Sequence, residues 1–131
     1  MAYHVVDPTA IVPTDDHPCD RRSITDAADL ATLAAAVYTI APGEQLPQTY
    51  HYHDQREELF YVLSGTLTIE TPDEEYTAAA GELFVAEPKS PHRPYNPEEA
   101  ASDVRVLGVG APRYDIGRPY ESESDTPEAT E

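Results

Sequence analysis

From Tyr50 onward, short apolar runs alternate with turn residues, and this spacing limits the folds that the chain can form. The runs have the length and composition of strands, being rich in β-branched and aromatic residues. Several short strands without a convincing long helix predict an all-β sandwich or barrel. The predicted strands are residues 58–64, 66–71, 76–79, 81–86, 93–95 and 104–109.

The first of these strands is apolar on both faces, because side chains alternate along a strand. One face carries Glu58, Phe60, Val62 and Ser64, and the other carries Leu59, Tyr61 and Leu63. If Glu58 faces inward, the N-terminal residues or a second subunit must cover the outer face. We expect Tyr61 and Tyr38 to be core or interface rings. Gly65 follows, and we expect it to turn the chain into a hairpin with residues 66–71.

Three histidines and one glutamate in this region have the spacing of a metal site. His51 and His53 lie two residues apart, so on an extended segment their imidazoles share one face, about 7 Å apart. Glu58 opens the next strand, and His92 follows the strand at 81–86. Alone, each residue would be interpreted as solvated or structural. Together they predict one divalent transition metal, since three imidazoles and a carboxylate suit Fe, Mn, Ni, Cu or Zn.

The same residues resemble the first sequence motif of the cupin family. That motif is a glycine, five residues, His-x-His, three or four residues, a glutamate, six residues and a second glycine. His51, His53, Glu58 and Gly65 match it. Gly43 takes the place of the first glycine, but seven residues rather than five separate it from His51. We therefore expect the loop that leads into the site to differ from that of the family.

A second cupin motif is a glycine, five residues, Pro-x-Gly, two residues, a histidine, three residues and an asparagine. Gly81, His92 and Asn96 have this spacing, but Glu87 and Lys89 replace the proline and the glycine. A proline and a serine follow one position later, so we expect the turn to be shifted by one residue. Fifteen residues separate the two motifs, similar to compact microbial cupins.

The resemblance to cupins covers most of the chain and implies a jelly-roll β-barrel. We expect an N-terminal arm at residues 1–22, the barrel at 23–120 and an acidic tail at 121–131. The tail has no residues that form a core, which indicates disorder. The resemblance also implies that the three histidines and Glu58 hold the metal. Small cupins are commonly dimers, so we expect a homodimer.

Residues 23–40 favour two different structures. Thr25-Asp-Ala-Ala-Asp has the pattern of a helix start, and the alanines nearby also favour a helix. The resemblance to cupins instead implies a strand at about residues 33–40, ended by the turn Ala41-Pro-Gly. We expect the strand from Ala35 onward.

The chain of 131 residues carries 25 acidic and 8 basic residues, a formal net charge of −17. Repulsion at this density destabilises the compact state in dilute buffer, and salt screens it. Lys89 is the only lysine. An acidic, lysine-poor surface resembles that of halophilic proteins, so we expect a halophile; an acidic mesophilic protein is the alternative. The charge also disfavours nucleic acid and anionic membranes as partners.

The cysteine content and the length of the apolar segments indicate in which cellular compartment the protein is expected. Cys19 is the only cysteine, so no intramolecular disulfide forms, which fits a reducing cytoplasm. The first residues lack the basic and apolar regions of a signal peptide. The longest mostly apolar stretch, residues 30–41, is too short to span a bilayer. We therefore expect a soluble, cytoplasmic protein.

Two further groups of residues are candidates for chemistry. The segment Asp15-Asp-His-Pro-Cys-Asp20 contains metal-ligating residue types, but its spacing matches no tetrahedral pattern, so we expect it to wrap the surface. Glu87 and Arg93 lie near His92 and could assist catalysis. Arg93 would anchor an anionic group of a substrate or, as the simpler alternative, pair with surface carboxylates.

The ligand set leaves two positions of a six-coordinate ion open for water, dioxygen or a chelating substrate. We expect a metal-dependent dioxygenase or related oxidoreductase that acts on a small organic molecule. The alternatives are a metal-dependent isomerase and a non-catalytic barrel that binds a sugar or organic acid. Neither the substrate nor the identity of the metal follows from the spacing.

Overall fold

The computed structural model describes residues 3–121, and the regular secondary structure of this part of the chain is almost entirely β-strand. It contains a 3-10 turn at Pro8–Ala10 and one short helix, α1, at Ile24–Ala28. The strands are β1 Asp20–Ser23, β2 Ala34–Ile40, β3 His51–Tyr52, β4 Glu57–Ser64, β5 Thr66–Glu70, β6 Glu75–Ala79, β7 Leu83–Ala86, β8 Arg93–Tyr95, β9 Val104–Ala111 and β10 Arg118–Pro119. The predicted all-β class is confirmed. The acidic tail predicted at residues 121–131 lies outside the described residues, except for Glu121.

Two antiparallel sheets build the barrel. The larger has the strand order β1-β2-β9-β4-β7, and the smaller has the order β6-β5-β8. The short strands β3 and β10 form a separate pair. Strands that are neighbours in the larger sheet are far apart in sequence, as in the pairs β2 with β9 and β9 with β4. These crossing connections are those of a jelly roll.

The hairpin predicted around Gly65 is wrong. β4 pairs with β7 and β9 in the larger sheet, whereas β5 pairs with β6 and β8 in the smaller one. The shortest common hairpin loops have two residues, and the single residue Gly65 instead carries the chain from one sheet to the other. Its φ is +79°, and a Cβ there would lie 2.7 Å from the carbonyl oxygen of Asp103. Only glycine therefore fits at this crossing.

Both structures considered for residues 23–40 occur, one after the other. The side chain of Ser23 accepts a hydrogen bond from the backbone N–H of Asp26 and caps α1. The helix ends at Asp29, whose φ of +55° is left-handed. Strand β2 then begins at Ala34, one residue before the predicted start. The alanines of β2 enter the sheet because pairing with β9 outweighs their helix propensity.

Strand β4 alternates between faces, as predicted. The buried side chains are those of Glu58, Phe60 and Val62, and the exposed ones are those of Leu59, Tyr61 and Leu63. Ser64 was predicted to face inward but is exposed. The register of β4 against β9 shifts between Val62 and Ser64, which explains this departure from alternation.

The N-terminal residues do not cover the outer face of β4. Arg22 of β1 donates hydrogen bonds to the carbonyls of Thr9 and Ile11, and this holds the preceding segment beside the β1 edge of the sheet. β7 lies at the opposite edge. An apolar surface therefore remains on β4 and β7, where each side chain is 39–55% exposed. This outer patch consists of Leu59, Tyr61, Leu63, Leu83 and Val85.

The apolar core fills one half of the barrel. It joins residues of both sheets, with Val62, Val106 and Ile40 from the larger sheet and Leu67 and Ile69 from the smaller, all fully buried. Val62 pairs with Val106 across β4 and β9, toward the end of β4. The start of β4, which carries Glu58, belongs to the other half. Large aliphatic side chains are thus buried at one end of the strands, where they stabilise the fold. The polar groups, such as Glu58, lie at the opposite end of the same strands.

Candidate metal centre

Backbone pairing brings the two histidine segments together. His51 and His92 form an isolated antiparallel bridge, in which the N–H of His92 donates to the carbonyl of His51 at 2.9 Å. His51 begins β3, and His92 directly precedes β8. Their ring centroids lie 4.8 Å apart, and those of His51 and His53 lie 4.9 Å apart. Residues that are about forty positions apart in sequence thus face one another.

The carboxylate of Glu58 lies among the three imidazoles. Its Oε1 is 2.8 Å from Nε2 of His92 and 4.0 Å from Nε2 of His51. Its Oε2 is 3.7 Å from Nε2 of His53. The ligand atoms of His51, Glu58 and His92 all lie within 4.8 Å of one another, so this cluster can hold a metal ion. The structure therefore brings all four predicted residues to one place, with His53 at the second carboxylate oxygen.

Backbone carbonyls fix the orientation of every imidazole in the cluster. Nδ1 of His51 lies 3.1 Å from the carbonyl of Thr49, and Nδ1 of His92 lies 2.7 Å from that of Ser90. Nδ1 of His53 lies 2.8 Å from the carbonyl of Asp115. A carbonyl oxygen can only accept a hydrogen bond, so each Nδ1 must donate. In the neutral rings of His51 and His53 the proton is therefore on Nδ1, and Nε2 presents its lone pair to the centre of the cluster.

The protonation states also suit metal ligands. Burial and the neighbouring His92 lower the pKa of His51 to about 4, and burial lowers the pKa of His53. Burial opposes ionisation of Glu58, but the hydrogen bond from His92 and the nearby imidazoles outweigh it and lower its pKa to about 2. At neutral pH, His51 and His53 are therefore neutral and Glu58 is ionised, which is the form in which these groups bind metals.

The contact between His92 and Glu58 is compatible with a cation at this position. Nδ1 of His92 already donates to Ser90, and Nε2 faces Glu58 Oε1 at 2.8 Å. Two acceptors on opposite sides of the ring require a second ring proton or a cation shared with the carboxylate. The donor set therefore fits a divalent transition metal.

The turn before His92 lies where the family motif has it. Lys89, which replaces the motif glycine, itself has a left-handed φ of +65°. The predicted one-residue shift is therefore wrong. A left-handed lysine costs about 1–3 kcal/mol, and the hydrogen bond from its backbone N–H to the carbonyl of His53 at 2.6 Å offsets part of this cost. That bond also ties the two motif segments together.

Residues after β9 close over the cluster, which no sequence pattern predicted. The carboxylate of Asp115 accepts hydrogen bonds from the backbone N–H groups of Gln55 and Arg56 at 2.5 and 2.8 Å. A Cβ on Gly117 would lie 2.8 Å from Cδ2 of His51. Glycine is therefore needed at 117 to let the backbone lie against the imidazole. Pairing of β10 with β3 completes the cover.

Arg56 is a further residue of the site that sequence reasoning missed. Its guanidinium lies 3.4 Å from Oε2 of Glu58 and donates to the carbonyls of Pro112 and Arg113. A Cβ on Gly110 would lie 2.8 Å from Cδ of Arg56. The signal available in the sequence was the Gly-x-Gly at 108–110, at the end of the strand predicted at 104–109, which indicates the close approach of another group.

The remaining candidates lie apart from the cluster. Glu87 is exposed. Arg93 pairs with Glu70 at 2.8 Å, and its guanidinium lies 4.2 Å from the ring centroid of Tyr95. This agrees with the surface-pair alternative. Asn96 is buried and donates to the carbonyls of Ile40 and Ser102, so it holds the end of β2 in place.

The Asp15–Asp20 segment forms no metal cluster within residues 3–121. Nε2 of His17 lies 2.7 Å from the carbonyl of Leu46, and Sγ of Cys19 lies 3.9 Å from the same oxygen. Burial raises the pKa of the Cys19 thiol to about 12. A thiol held neutral in the core is a poor metal ligand.

Residues 36–110 match the sequence profile of the Cupin_2 family, the cupin domain. The chain belongs to the cupin family. Protein SchB of Streptomyces halstedii is a relative of this cupin, 32% identical over 124 residues and matched over 88% of both chains. The expected jelly-roll fold and the family to which the motifs pointed are thus confirmed.

Solved structures of other cupins superpose on this one. The polyketide cyclase RemF from Streptomyces resistomycificus has a TM-score of 0.75 and 19% identity, covering 93% of this cupin and 89% of that chain. A sugar phosphate isomerase of the cupin superfamily from Silicibacter pomeroyi has a TM-score of 0.65 and 16% identity, covering 86% and 81%. At these identities the likeness establishes the fold alone. Within residues 3–121, no helix has the length and apolarity needed to cross a membrane.

Proposed function

We propose that this cupin is a metal-dependent enzyme that acts on a small organic substrate, with one divalent transition metal held by His51, His53, Glu58 and His92. One observation carries the proposal. Each imidazole is fixed through Nδ1 by a backbone carbonyl and turns Nε2 toward the ionised carboxylate of Glu58. Preorganised second-shell hydrogen bonds of this kind are typical of metal sites.

When bound, a divalent ion would supply Lewis acidity toward a carbonyl group or, if iron or copper, reactivity toward dioxygen. The protein's own part is to hold the four donors and to limit access of water. The cover formed by Asp115 and Gly117 lies against two of the histidines. Arg56 lies beside Glu58 and favours its ionised form.

The comparisons favour chemistry at a carbonyl group without net oxidation. A polyketide cyclase and a sugar phosphate isomerase are among the structural neighbours, and cyclisation and isomerisation both leave the oxidation state unchanged. A dioxygenase or related oxidoreductase is the second candidate. The ligand set favours it, since three imidazoles and one carboxylate suit Fe(II) and leave two positions for dioxygen and substrate. The third candidate is a barrel that binds its ligand without catalysis, and the test below distinguishes it from the two enzymes.

The test is the metal content of the purified full-length protein, measured by element-resolved mass spectrometry. We expect about one transition metal ion per chain, lost in His51→Ala/His53→Ala. His4→Ala, which removes an exposed histidine outside the cluster, should leave the content unchanged. Iron or copper with oxygen uptake on substrate addition would favour the dioxygenase, and zinc, manganese or nickel without oxygen uptake would favour the isomerase or cyclase. Absence of metal, even after anaerobic reloading, would contradict the proposal.

We also propose that the outer patch on β4 and β7 is buried in a homodimer. Five apolar side chains on one flat sheet face exceed what scattered surface residues usually present, and the N-terminal segment lies at the other edge of the sheet. A two-fold axis through the patch would cover it with its own copy. Sedimentation should give twice the chain mass of 14.4 kDa. A mass of one chain at every concentration would refute the dimer.

The acidic surface supports adaptation to high salt, and with it a halophilic source. Screening of a net charge of −17 should raise the thermal midpoint as potassium chloride increases to molar concentrations. Sucrose at equal osmolality is the control, because it acts on the surface without screening charge. A midpoint that rises equally in both solutions would favour an ordinary acidic protein.

A further inference from the structure

A cavity of about 180 Å³ adjoins the metal centre on the inner face of the larger sheet. It shares Tyr38, Arg56, Glu58 and Phe60 with a second cavity, of about 350 Å³, that is lined by His51 and His53. The two spaces are therefore neighbours with a common wall. A ligand in the first cavity would lie directly beside the four proposed metal ligands.

Small residues on three adjacent strands create this space. The register places Ala34 opposite Gly110 and Gly110 opposite Glu58, and the next inward-facing row has Ala36, Gly108 and Phe60. A Cβ on Gly108 would lie 3.0 Å from Cε2 of Tyr38 and 3.4 Å from Cδ1 of Phe60. Any larger residue in β9 would fill the floor of the cavity. Elsewhere the same inner face carries Val62 and Val106, which close it.

Cations are concentrated in this cavity although they are scarce in the chain. Three of the eight basic residues line it, against two carboxylates, in a protein that has 25 acidic residues. The lining cations are Arg21, Arg56 and Arg113, and the carboxylates are Asp26 and Glu58. The cavity lining therefore has a net positive charge, whereas the whole chain has a large net negative charge. Clefts lined by one sign of charge attract ligands of the opposite sign.

Three arginines outside the cavity are paired with carboxylates, and within the cavity Arg56 is paired with Glu58 at 3.4 Å. The ion pairs are Arg22 with Asp20 at 3.0 Å, Arg93 with Glu70 at 2.8 Å and Arg118 with Asp54 at 2.6 Å. Within residues 3–121, Arg21 has no carboxylate within 4.0 Å; its guanidinium donates to the hydroxyl of Thr14 at 2.8 Å, and it lines the same cavity as Tyr38. A guanidinium has five N–H donors. Arg21 therefore keeps both charge and donors for a ligand.

We propose that Arg21 and Arg56, which line the same cavity as Tyr38, bind the carboxylate of a small organic acid and present the rest of the molecule to the metal centre. The inference names the substrate class of the proposed enzyme and therefore rests on that function. Arginine binds carboxylates through two parallel hydrogen bonds, which fixes direction as well as position. Phe60, in the common wall, offers an apolar surface to the carbon skeleton beyond the carboxylate.

A carboxylate fits this cavity better than a phosphate monoester. Glu58 and Asp26 in the lining repel a second negative charge, as does the overall charge of −17. A carboxylate carries one charge and is planar, whereas a phosphate monoester at neutral pH carries close to two. The two anions share the same arginine chemistry, so the experiment below compares them directly.

The test compares two neighbouring arginines of β1 that lie on opposite faces of the strand. Arg21→Gln removes the cavity cation, and Arg22→Gln removes a cation that pairs with Asp20 at the surface. Both variants lose one positive charge from the same strand. Calorimetric titrations with sodium benzoate, its neutral analogue benzamide and inorganic phosphate use the full-length protein as purified, at one fixed potassium chloride concentration.

We expect benzoate to bind about tenfold or more weakly to Arg21→Gln than to Arg22→Gln, and benzamide to bind wild type about tenfold or more weakly than benzoate. Arg21→Lys, which keeps the charge, should recover part of the affinity, and circular dichroism checks that every variant is folded. Equal binding by the two glutamine variants, equal binding of benzamide, or no saturable binding of benzoate would overturn the proposal. Tighter binding of phosphate would overturn the assignment to carboxylates.

Metal content measured in the same samples separates this inference from the proposed function. If the metal is present and benzoate does not distinguish the two arginines, only the carboxylate site fails. If the arginine dependence is found in a protein that holds no metal, the proposed enzyme fails and the carboxylate site stands. Among residues 3–121, Arg21 makes no hydrogen bond or ion pair with the four proposed ligands, so the two outcomes are independent.

Discussion

The two ends of the larger sheet's inner face are built by the same three strands but from opposite kinds of residue. At the closed end, β2, β9 and β4 contribute Ile40, Val104, Val106 and Val62, all at most 1% exposed. At the open end, the same strands contribute alanine, glycine and Glu58. Large aliphatic side chains fill the first end, whereas small ones leave room at the second for arginine, tyrosine and imidazole groups.

The difference teaches how one β-barrel can be both stable and reactive. The four aliphatic side chains of the closed end need no hydrogen-bond partner, so their burial contributes to stability directly. At the open end, each buried polar group has a partner, and no buried side-chain nitrogen or oxygen among the described residues lacks a hydrogen bond. Satisfied polar groups of this type add little net stability. The free energy of unfolding should therefore depend mainly on the closed end, and ligand binding on the open end.

The largest effect on stability is expected from Ile40→Ala at the closed end. Ile40 is fully buried, and removal of its side chain should lower the free energy of unfolding by about 2–5 kcal/mol. Urea unfolding measures this loss. Metal content should remain that of wild type, because Ile40 lies away from the four ligands along β2. Loss of metal in a folded Ile40→Ala protein would show that metal binding at the open end depends on packing at the closed end.

A smaller effect is expected when the open end is filled. The new Cβ of Gly110→Ala would lie 2.8 Å from Cδ of Arg56 and 3.1 Å from the carbonyl of Glu57, so Arg56 must move. Overpacking of this kind should cost about 1–3 kcal/mol. Combination with Arg56→Ala should be less destabilising than the sum of the two single changes, since the clash then has no partner. If the changes in unfolding free energy are additive, the Arg56 side chain is not the reason that position 110 requires glycine.

The smallest effect on monomer stability is expected on the outer face. Leu59 is 43% exposed, so Leu59→Lys should change the unfolding free energy of the monomer by about 0.5 kcal/mol or less. Its effect should instead be on association, because two lysines would meet across the proposed dimer axis and halve the mass in sedimentation. Val12→Lys, at an 82% exposed position on the N-terminal segment, is the control. If the mass of Leu59→Lys in sedimentation equals that of wild type, the outer patch is not the dimer interface.

The sequence predicted what depends on local spacing. His51 and His53 lie two residues apart, so alternation along extended chain is enough to place their side chains on one face. Glu58 lies on a separate strand, β4, and was indicated by the spacing of the motif. The strands from 58 to 109 were also predicted, because their apolar runs are interrupted by clear turn residues. Their bounds shifted by at most two residues, as in β7, which begins at Leu83 rather than Gly81. Strand ends depend on pairing partners that the sequence does not specify locally.

Contacts between distant segments were not predictable in the same way. Asp115 anchors His53 from 62 positions away, and nothing in its neighbours marks it as part of the site. The short strands β1, β3 and β10 have two to four residues and depend on their partners rather than on their own propensity. Lys89 shows the converse case. The glycine of the motif is absent, yet the turn keeps its place because the hydrogen bond to His53 holds a lysine in a left-handed conformation.

The anchoring of His53 by the carbonyl of Asp115 has a consequence for the order of events during protein synthesis. A ribosome that has made the chain through Glu58 has already supplied three of the four proposed ligands, and His92 follows soon afterwards. The ring of His53 is nevertheless held in place only when Asp115 has been added and has folded back over the site. Complete assembly of the centre therefore requires the whole span from His51 to Asp115 to be made and folded. A metal ion would meet all four donors in their final orientation only after this span has closed over the site.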